Sequence, residues 1–444
     1  MADNREASGI VAVAADKKNG GGLIYKLYTG LMSIQHRGQE SAGIAVAKDG
    51  SIQCYRNKGL VSEVFDGQIL SLLSGEMYLG HVKNDGEPEK YGASSQPAVI
   101  NYKHGFLATA FSGALVNANA LRAEMEDGGA VFTSLSDWEL VATLAAKTDN
   151  GDIALAAQKI AGMLRGGYAC VLMTADTMVG IRDPYGIRPL CVGTLEGSYA
   201  FSSESNAFDM MGGKFVRDVL PGEIVVLKNG GITSLRIENH AQISLFADSR
   251  QPIGQASCIF EYIYYANPDS TIDGKNVCQC RERAGYILAK ESPADADIVV
   301  GVPDSGTPAA LGFSNGSGIP FAIGLIKNRY IGRTFIQPTQ TQREMSVRIK
   351  LNPIRPVLEG KRIVLVEDSI VRGTTMRYLI SAIRDAGAAE VHLRICSPPV
   401  LDRCYFGVAQ PDRNDMIANN MPTGEVCKSL GADSLSYISL EGVL

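Results

Sequence analysis

Two adjacent acidic residues, followed by a turn of mostly small residues, are the first feature of this 444-residue sequence that could do chemistry. Residues 362–375 read RIVLVEDSIVRGTT. The apolar, β-branched run at the start of this stretch is typical of a strand that is buried on both faces, as in parallel sheets. Glu367 and Asp368 therefore lie at the carboxyl end of a predicted strand, which is where open α/β sheets bind ligands.

The turn that follows the two acids has the composition of a phosphate site. Small residues before a helix N-terminus allow backbone N–H groups to face an anion, which the helix dipole also favours. Carboxylates beside such a turn can hold ribose hydroxyls and Mg²⁺. The turn residues that this interpretation singles out are Ser369, Arg372, Gly373, Thr374 and Thr375. The pattern predicts a sugar-phosphate site, and the alternative is an ordinary strand–turn–helix with a solvated acidic tip.

This stretch resembles a known motif, the phosphoribosylpyrophosphate (PRPP) loop of type I phosphoribosyltransferases. In its SIVRGTT form (residues 369–375) it is similar to the loop of glutamine PRPP amidotransferases, the family that begins purine synthesis. That family usually has two aspartates where this chain has Glu367 and Asp368, and a Glu–Asp pair occurs elsewhere in the type I class. The resemblance implies that the acidic pair is catalytic and holds the ribose hydroxyls and Mg²⁺, while the turn holds the 5′-phosphate.

A second strand and turn precede this motif by one βα unit. Residues 298–302 are apolar and predict a buried strand, and PDSG follows at residues 303–306. Such a turn can form an anion nest, although a bare PDSG is also a common turn. In the resembling family this turn is the pyrophosphate loop. The resemblance implies that Asp304, Ser305 and Gly306 bind PRPP and that Ser305 contributes to the Mg²⁺ site.

The long connection at residues 326–353 is rich in Lys, Arg, Gly, Thr and Gln. A charged run is usually a solvated face, yet long loops in compact domains are often lids. The segment resembles the loop that closes over PRPP in amidotransferases, where closure excludes water and cations offset the charge of pyrophosphate. The resemblance implies catalytic roles for Arg329 and Lys350 and a PRPP-binding role for Lys327.

The N-terminal half shows strand patterns up to about residue 243, with one predicted helix at about residues 22–34 and two more near residues 117–126 and 136–147. This pattern favours a sandwich of sheets and helices. Its polar connection at residues 35–45 could be a surface turn. Four motifs nevertheless resemble the N-terminal-nucleophile (Ntn) glutaminase domain of the same family, which implies an αββα sandwich. They are QHRGQESAGIA (35–45), RDPYGIRPL (182–190), SSES (202–205) and VRDVLPGE (216–223).

The residues that would hydrolyse glutamine in that domain are changed. The family has a cysteine nucleophile at the mature N-terminus, whereas this chain has Ser8, a weaker nucleophile with seven residues before it. Lys83 replaces an arginine that grips the substrate carboxylate, and Ser112 replaces an asparagine of the oxyanion hole. Gly113 and Asp137 match the family. We therefore predict a degenerate glutaminase site that is retained for structure, assembly or regulation.

The predicted architecture has two domains, one α+β and one α/β. Residues 1–7 form an extension that resembles a propeptide, and residues 8–247 form the glutaminase-like Ntn domain. Residues 248–444 form a type I phosphoribosyltransferase domain with a doubly wound parallel sheet. The division follows the linker-like composition of residues 248–255 and the segment FEYIYYANPDS (260–270), which resembles the domain-joining segment of the family.

Composition and charge exclude several classes of protein. The net charge of −5 gives no reason to expect nucleic acid or a membrane as partner, and no stretch approaches the ~18 apolar residues of a membrane span. The N-terminus lacks the layout of a signal peptide, and nine cysteines without a secretion signal indicate a reducing cytoplasm. Some family members carry a four-cysteine iron–sulfur cluster. Only Cys258 and Cys404 match its ligands, so we expect no cluster.

The leading hypothesis is an enzyme of the amidophosphoribosyltransferase type. It would bind Mg²⁺–PRPP and displace pyrophosphate from the ribose anomeric carbon with ammonia or another small nucleophile, and a separate glutaminase could supply the ammonia. The alternative is a non-catalytic regulatory protein that binds PRPP or a nucleotide, although such a protein has little need of a water-excluding lid. The resemblance also implies a homo-oligomer, either a dimer or a tetramer.

Overall fold

The computed structural model describes residues 8–15, 22–84, 95–237, 255–328, 351–408 and 411–444. The chain forms two compact units. The first unit comprises Met1–Cys258, Ser270–Gly274 and Cys404–Ala409, and the second comprises Ile259–Asp269, Lys275–Arg403 and Gln410–Leu444. The predicted division after residue 247 lies outside the described residues and stays a prediction. No helix in the described part of the chain is both long and apolar enough to cross a membrane.

The first unit is built from two antiparallel sheets and the helices that cover them. Its strands are β1 (Ser8–Ala14), β2 (Ser41–Lys48), β3 (Ser51–Lys58), β4 (Met77–Lys83), β5 (Ala98–Tyr102), β6 (Gly105–Leu115), β7 (Gly166–Met173), β8 (Thr177–Arg182), β9 (Cys191–Leu195), β10 (Ser198–Ser202), β11 (Lys214–Asp218), β12 (Glu223–Lys228), β13 (Gly231–Arg236) and the short β14 (Thr271–Ile272). Its helices are α1 (Leu23–Ser33), α2 (Val61–Val64), α3 (Gly67–Leu72), α4 (Ala118–Asp127), α5 (Asp137–Thr148), α6 (Ile153–Ala161) and α7 (Asn206–Met211).

These elements make the predicted αββα sandwich. One sheet has the order β11-β9-β10-β1-β4-β2-β3, and the other has the order β13-β12-β8-β7-β6-β5. Buried apolar side chains from both sheets, such as Ile10 and Val171, fill the space between them. Leu27 and Leu31 of α1 belong to the core on the outer face of the first sheet, and Leu140 of α5 belongs to the core on the second. Each sheet is therefore covered by apolar helix faces.

Helix α6 is missing from the sequence interpretation, which placed helices in this unit only near residues 22–34, 117–126 and 136–147. The Asp152 side chain caps this helix by accepting hydrogen bonds from Ala154 N at 2.9 Å and Leu155 N at 3.3 Å. Its side chains at Ile153, Ala157 and Ile160 are buried, which is the spacing of an apolar helix face. An Asp before such a run is a helix start signal that could have identified it.

The second unit contains a parallel sheet with the order β16-β19-β20-β21. Its strands are β15 (Lys275–Asn276), β16 (Ile298–Gly301), β17 (Leu325–Lys327), β18 (Leu351–Pro353), β19 (Arg362–Glu367), β20 (Glu390–Ile395) and β21 (Ser434–Tyr437). Its helices are α8 (Val277–Glu291), α9 (Gly306–Ser317), α10 (Arg355–Leu358), α11 (Thr374–Asp385), α12 (Ile417–Asn420), α13 (Thr423–Leu430) and α14 (Leu440–Val443). The central strand β19 is buried on both faces, as its apolar run predicts.

Helices α8 and α9 approach each other backbone to backbone. A Cβ atom added at Gly285 would collide with Ala309 O, and one added at Gly312 would collide with Glu282 O. Both obstacles are backbone atoms, so no side-chain rotation can make room. This close contact fixes α9, whose N-cap is Ser305 of the PDSG turn.

We expect Gly312→Ala to destabilise the second unit by about 1–3 kcal/mol, because the added methyl group forces the two helix backbones apart. Gly424→Ala is the matched control, since Gly424 lies in α13 with nothing within 4 Å of the added Cβ atom. Alanine is the better helix former, so the control should be neutral or stabilising by up to about 1 kcal/mol. Denaturant unfolding followed by circular dichroism measures both. Equal stability of the two variants would contradict the packing argument.

Candidate functional site

The sheet of the second unit brings the two predicted ligand turns to one edge. Strands β16 and β19 are parallel neighbours, with Gly301 opposite Val366. The PDSG turn follows β16, and the turn after Glu367 follows β19, so both turns leave the same carboxyl edge. A Cβ atom at Gly306 would lie 2.7 Å from Val366 O. The absence of a side chain at Gly306 therefore lets the first turn approach the end of β19.

Asp368 is the side chain on which the two turns converge. Ser369 Oγ donates a hydrogen bond to its Oδ1 atom at 2.6 Å, and Ser305 Oγ donates one to its Oδ2 atom. Glu367 points back toward the chain, where its Oε1 atom accepts a hydrogen bond from Asp368 N at 2.9 Å. Both acids are buried. The two turns are thus joined through a single carboxylate.

Both carboxylates carry raised pKa values. Burial raises the pKa of Glu367 well above its usual range, and the nearby charge of Asp368 raises it further. Burial also raises the pKa of Asp368, although hydrogen bonds from Ser305 and Ser369 oppose this effect. Two buried acids that are difficult to ionise together form a place where a cation is favoured. Carboxylate oxygens with a hydroxyl nearby are suitable ligands for Mg²⁺.

Mg²⁺ would have to be held partly by the substrate. Among the described residues, no group of three or more His, Cys, Asp and Glu side chains could hold a metal ion. The predicted protein ligands are only two carboxylates and the Ser305 hydroxyl. They fit a cation whose remaining ligands are water and substrate oxygens, which is the usual way in which Mg²⁺ accompanies phosphates.

The turn after Asp368 leads directly into the N-terminus of α11. Gly373 is the N-cap residue with φ +74, and a Cβ atom there would lie 2.7 Å from Ile417 Cδ1. Thr374 and Thr375 begin the helix and are exposed. Exposed N–H groups at a helix start are available to a phosphate. Arg372 is also exposed, and its Nη2 atom lies 3.5 Å from Asp415 Oδ2.

The basic loop is only partly described. Lys327 pairs with Asp304 of the PDSG turn, and both side chains are exposed. The pair brings a cation to the predicted pyrophosphate turn. Arg329 and Lys350 lie outside the described residues, so their catalytic roles stay predictions.

Ser8 and Lys83 of the predicted degenerate site are cross-strand neighbours in the first unit. Lys83 in β4 is opposite Ser8 in β1 and opposite Ser41 in β2. Directly opposed residues share a face of the sheet. Ser8 Oγ donates a hydrogen bond to Phe111 O in the other sheet at 3.3 Å, so this row of three residues faces the interior of the sandwich.

The Ser112 hydroxyl is hydrogen-bonded to the backbone of Ser8. Its Oγ atom donates a hydrogen bond to Ser8 O at 2.9 Å. A hydroxyl has a single proton to donate. In this arrangement Ser112 cannot also donate to an oxyanion, and Ser8 Oγ itself donates to Phe111 O.

The His81 imidazole is not placed as a base for Ser8. His81 Nε2 lies 3.1 Å from Phe111 O, and Gln96 Nε2 donates to the same oxygen at 3.2 Å. Burial lowers the pKa of His81 to about 3, so the ring is neutral at physiological pH. His81 and Gln96 were not singled out in the sequence. The shared interaction with Phe111 O depends on sheet packing that no local pattern reveals.

The two retained positions have clear structural partners. Gly113 has φ +128, and a Cβ atom there would collide with Gly167 O. Asp137 Oδ2 accepts a hydrogen bond from Leu115 N at 2.8 Å and is buried. Both residues therefore have roles in holding the end of β6, whether or not a substrate binds.

Arg281 is a buried charged residue of the second unit that sequence reasoning did not assign. It is buried in α8, where its Nε atom donates to Tyr262 O at 2.8 Å and its Nη2 atom donates to Ala266 O at 2.8 Å. Its positive charge lowers the pKa of Asp368. The signal that could have found it is its position eleven residues after FEYIYYANPDS, the segment that it binds.

Comparisons with known proteins cover nearly the whole chain. A glutamine amidotransferase domain family matches residues 87–210, and a phosphoribosyl transferase domain family matches residues 278–396. The chain is 46% identical to the amidophosphoribosyltransferase of Archaeoglobus fulgidus over 94% of this chain and 89% of that protein. It is 41% identical to the amidophosphoribosyltransferase of Bacillus subtilis over 94% of this chain and 85% of that protein.

Two solved structures show the same fold over both units. One is described as the allosteric regulatory enzyme of purine biosynthesis, with a TM-score of 0.89 and 40% identity over 98% of this chain and 90% of that chain. The other is the glutamine PRPP amidotransferase of Bacillus subtilis complexed with ADP and GMP, with a TM-score of 0.88 and 39% identity over 98% of this chain and 92% of that chain.

Proposed function

The chain belongs to the amidophosphoribosyltransferase family of pentosyltransferase enzymes, and we propose that it transfers the phosphoribosyl group of PRPP to ammonia or another small nucleophile without hydrolysing glutamine itself. The observation that carries this proposal is a contrast between the two sites. The PRPP turns of the second unit converge on Asp368. The hydroxyls of Ser8 and Ser112 in the first unit both donate to backbone oxygens.

In the proposed reaction, the residues of the second unit bind and orient PRPP. Glu367 and Asp368 hold the ribose hydroxyls, and the start of α11 holds the 5′-phosphate. The PDSG turn, with Lys327 paired to Asp304, holds the pyrophosphate. Mg²⁺ bound with PRPP would offset negative charge on the phosphates.

The bond changes involve the nucleophile and PRPP alone. The nitrogen lone pair of ammonia forms a bond to the anomeric carbon as the bond from that carbon to pyrophosphate breaks. The leaving group departs with both bonding electrons, and the aminated product loses one proton to solvent. The protein contributes position and electrostatic stabilisation of the departing pyrophosphate.

The absence of glutamine hydrolysis is proposed on three grounds. A serine hydroxyl is a poorer nucleophile than a thiolate unless a base activates it, and His81 is not bonded to Ser8. Lys83 provides a point charge instead of the planar fork that a carboxylate prefers. Ser112 donates its only hydroxyl proton to Ser8 O.

The proposal also includes a separate source of ammonia and an oligomer of two or four chains.

Pyrophosphate release from Mg²⁺–PRPP tests this function directly. Three reactions are compared, with ammonium, with glutamine, and with no added nitrogen source. We expect release with ammonium and only background release in the other two. Equal pyrophosphate release with glutamine and with ammonium would contradict the proposal. If no reaction released pyrophosphate, ammonia would be excluded as the nucleophile, and other small amines would be tested in the same assay.

A further inference from the structure

Four motifs of the first unit match the family's glutaminase domain, although three residues of the glutaminase site differ from it. The structure shows that side chains from three of these motifs meet at one short segment. This segment, Ser270–Gly274, belongs to the first unit, while Ile259–Asp269 before it and Lys275–Arg403 after it belong to the second. We call Ser270–Gly274 the crossing segment.

Arg182 of the RDPYGIRPL motif holds the end of the crossing segment. Its Nη1 and Nη2 atoms donate to the two carboxylate oxygens of Asp273 at 2.7 and 3.0 Å. Arg182 is almost completely buried, and its remaining hydrogen bonds go to backbone oxygens of Gly186, Arg188 and Val219. A bidentate pair of this kind fixes both distance and orientation.

The SSES motif holds the start of the crossing segment. Glu204 Oε2 accepts a hydrogen bond from Ser270 Oγ at 2.6 Å, and Ser205 Oγ accepts one from Thr271 N at 2.8 Å. Glu204 is fully buried, and Arg37 of the QHRGQESAGIA motif pairs with its other oxygen. The charge of Arg37 holds the pKa of Glu204 well below its usual range, although burial alone would raise it. The carboxylate that accepts the Ser270 hydrogen bond is thus kept ionised.

The VRDVLPGE motif also lies close to the crossing segment. Burial raises the pKa of Asp218 to about 6, and the backbone N–H groups of Asp273 and Gly274 oppose this effect. The crossing segment is therefore bonded to the first unit along its length, through side chains at both ends and through its backbone.

Along the chain, the crossing segment continues a stretch that is bonded to α8. The backbone oxygens of Tyr262 and Ala266, a few residues before it, accept hydrogen bonds from the buried guanidinium of Arg281 in α8. Helix α8 packs backbone to backbone on α9, whose N-cap residue is Ser305. Ser305 in turn donates a hydrogen bond to Asp368, the side chain that joins the two proposed PRPP turns.

We propose that Arg182, Glu204 and Ser205 are positioning residues for phosphoribosyl transfer, because they fix the crossing segment and with it the stretch that binds Arg281 of α8, the helix packed on α9. This proposal rests on the proposed transfer reaction. It assigns the persisting motifs a role that does not require glutamine hydrolysis. The first unit then contributes to catalysis by setting the geometry of a neighbouring stretch of chain.

The double variant Ser205→Ala/Ser270→Ala tests this role with a small perturbation. It removes two hydrogen bonds to the crossing segment, while Glu204 keeps its pairing with Arg37, so no buried charge loses its partner. We expect the KM for PRPP to rise by about 2- to 30-fold with a smaller change in kcat, which is the range in which mutations along a coupling network act. Arg182→Met should have a larger effect of the same kind.

The matched control is Thr133→Val/Ser134→Ala. These two hydroxyls donate to the carboxylate of Glu139 in the first unit at 2.8 and 2.7 Å, as the Ser270 hydroxyl donates to that of Glu204. The control should lower the thermal unfolding midpoint about as much as the double variant and leave KM unchanged. If Arg182→Met fails to fold, the KM of Ser205→Ala/Ser270→Ala tests the positioning role by itself.

Hydrogen exchange provides a readout that does not depend on activity. In Ser205→Ala/Ser270→Ala, amides of residues 262–281 should exchange faster than in the natural protein and in the control. Unchanged KM together with unchanged exchange would overturn the positioning role. Faster exchange in Ser205→Ala/Ser270→Ala would show that these hydrogen bonds fix the crossing segment, even if the natural protein released no pyrophosphate. The absence of pyrophosphate release would separately contradict the transfer reaction.

Discussion

Asp368→Asn should abolish PRPP turnover and weaken Mg²⁺-dependent PRPP binding, while the fold remains intact. Asparagine keeps the shape of the side chain and can still accept a hydrogen bond from Ser369 or Ser305. It lacks the negative charge that a metal ion and ribose hydroxyls require. Loss of one preorganised electrostatic group typically costs ~10²–10³ in rate, and we expect kcat/KM to fall at least that far.

The stability of this variant should be unchanged or slightly increased. Burial raises the pKa of Asp368, which means that the folded protein bears a cost for ionising it. The substitution also removes the charge that helps to raise the pKa of Glu367. Thermal unfolding therefore separates a functional loss from a folding defect.

Calorimetric titration with PRPP, with and without Mg²⁺, measures the expected loss of binding. Asp385→Asn is the matched control, because Asp385 is an exposed acid at the far end of α11. The control should bind PRPP like the natural protein. Unchanged affinity and turnover in Asp368→Asn would remove this turn from the mechanism.

Ser8→Cys alone should not restore glutamine hydrolysis. The thiol restores the nucleophile, but Lys83 still lacks the planar fork for the substrate carboxylate. Ser112 still donates its proton to Ser8 O instead of providing an amide donor. Each defect costs on the order of 10² or more, and the effects of residues that act as a unit are not additive.

The combined variant is Ser8→Cys/Lys83→Arg/Ser112→Asn with residues 1–7 removed, which also frees the α-amino group that acts as the base. We expect glutamate release by this variant to exceed that of Ser8→Cys by about 10² or more. The same combination with serine kept at position 8 is the control and should be inactive. Full activity of Ser8→Cys alone would show that Lys83 and Ser112 are compatible with hydrolysis.

The local structure of the proposed PRPP site could be predicted because each of its motifs lies within one short stretch of sequence. The apolar run before Glu367 and the small residues up to Thr375 predict a strand, a turn and a helix within one stretch. The observed β19 and α11 follow this prediction closely. The hydrogen bond from Ser305 to Asp368 joins residues 63 positions apart and depends on the parallel register of β16 and β19.

The proposed degenerate glutaminase site could be predicted only as a set of replaced residues. The sequence identifies Ser8 and Ser112, which are 104 positions apart, as substitutions. It does not reveal that the hydroxyl of Ser112 donates to the backbone of Ser8, because this contact arises where two sheets pack together. The contacts of the crossing segment could not be predicted for the same reason. Arg182 and Asp273 are 91 positions apart, and their pairing follows from the path of the whole chain.

Glutamate release from glutamine by the natural protein is the most direct test of the account. The assay uses one preparation that releases pyrophosphate from PRPP with ammonium, so that an active transferase is being examined. Glutamine is added with and without PRPP, and glutamate is measured against a heat-treated sample. We expect no glutamate above this background in either condition. Glutamate release above background would contradict it and would identify Ser8 as an active serine nucleophile.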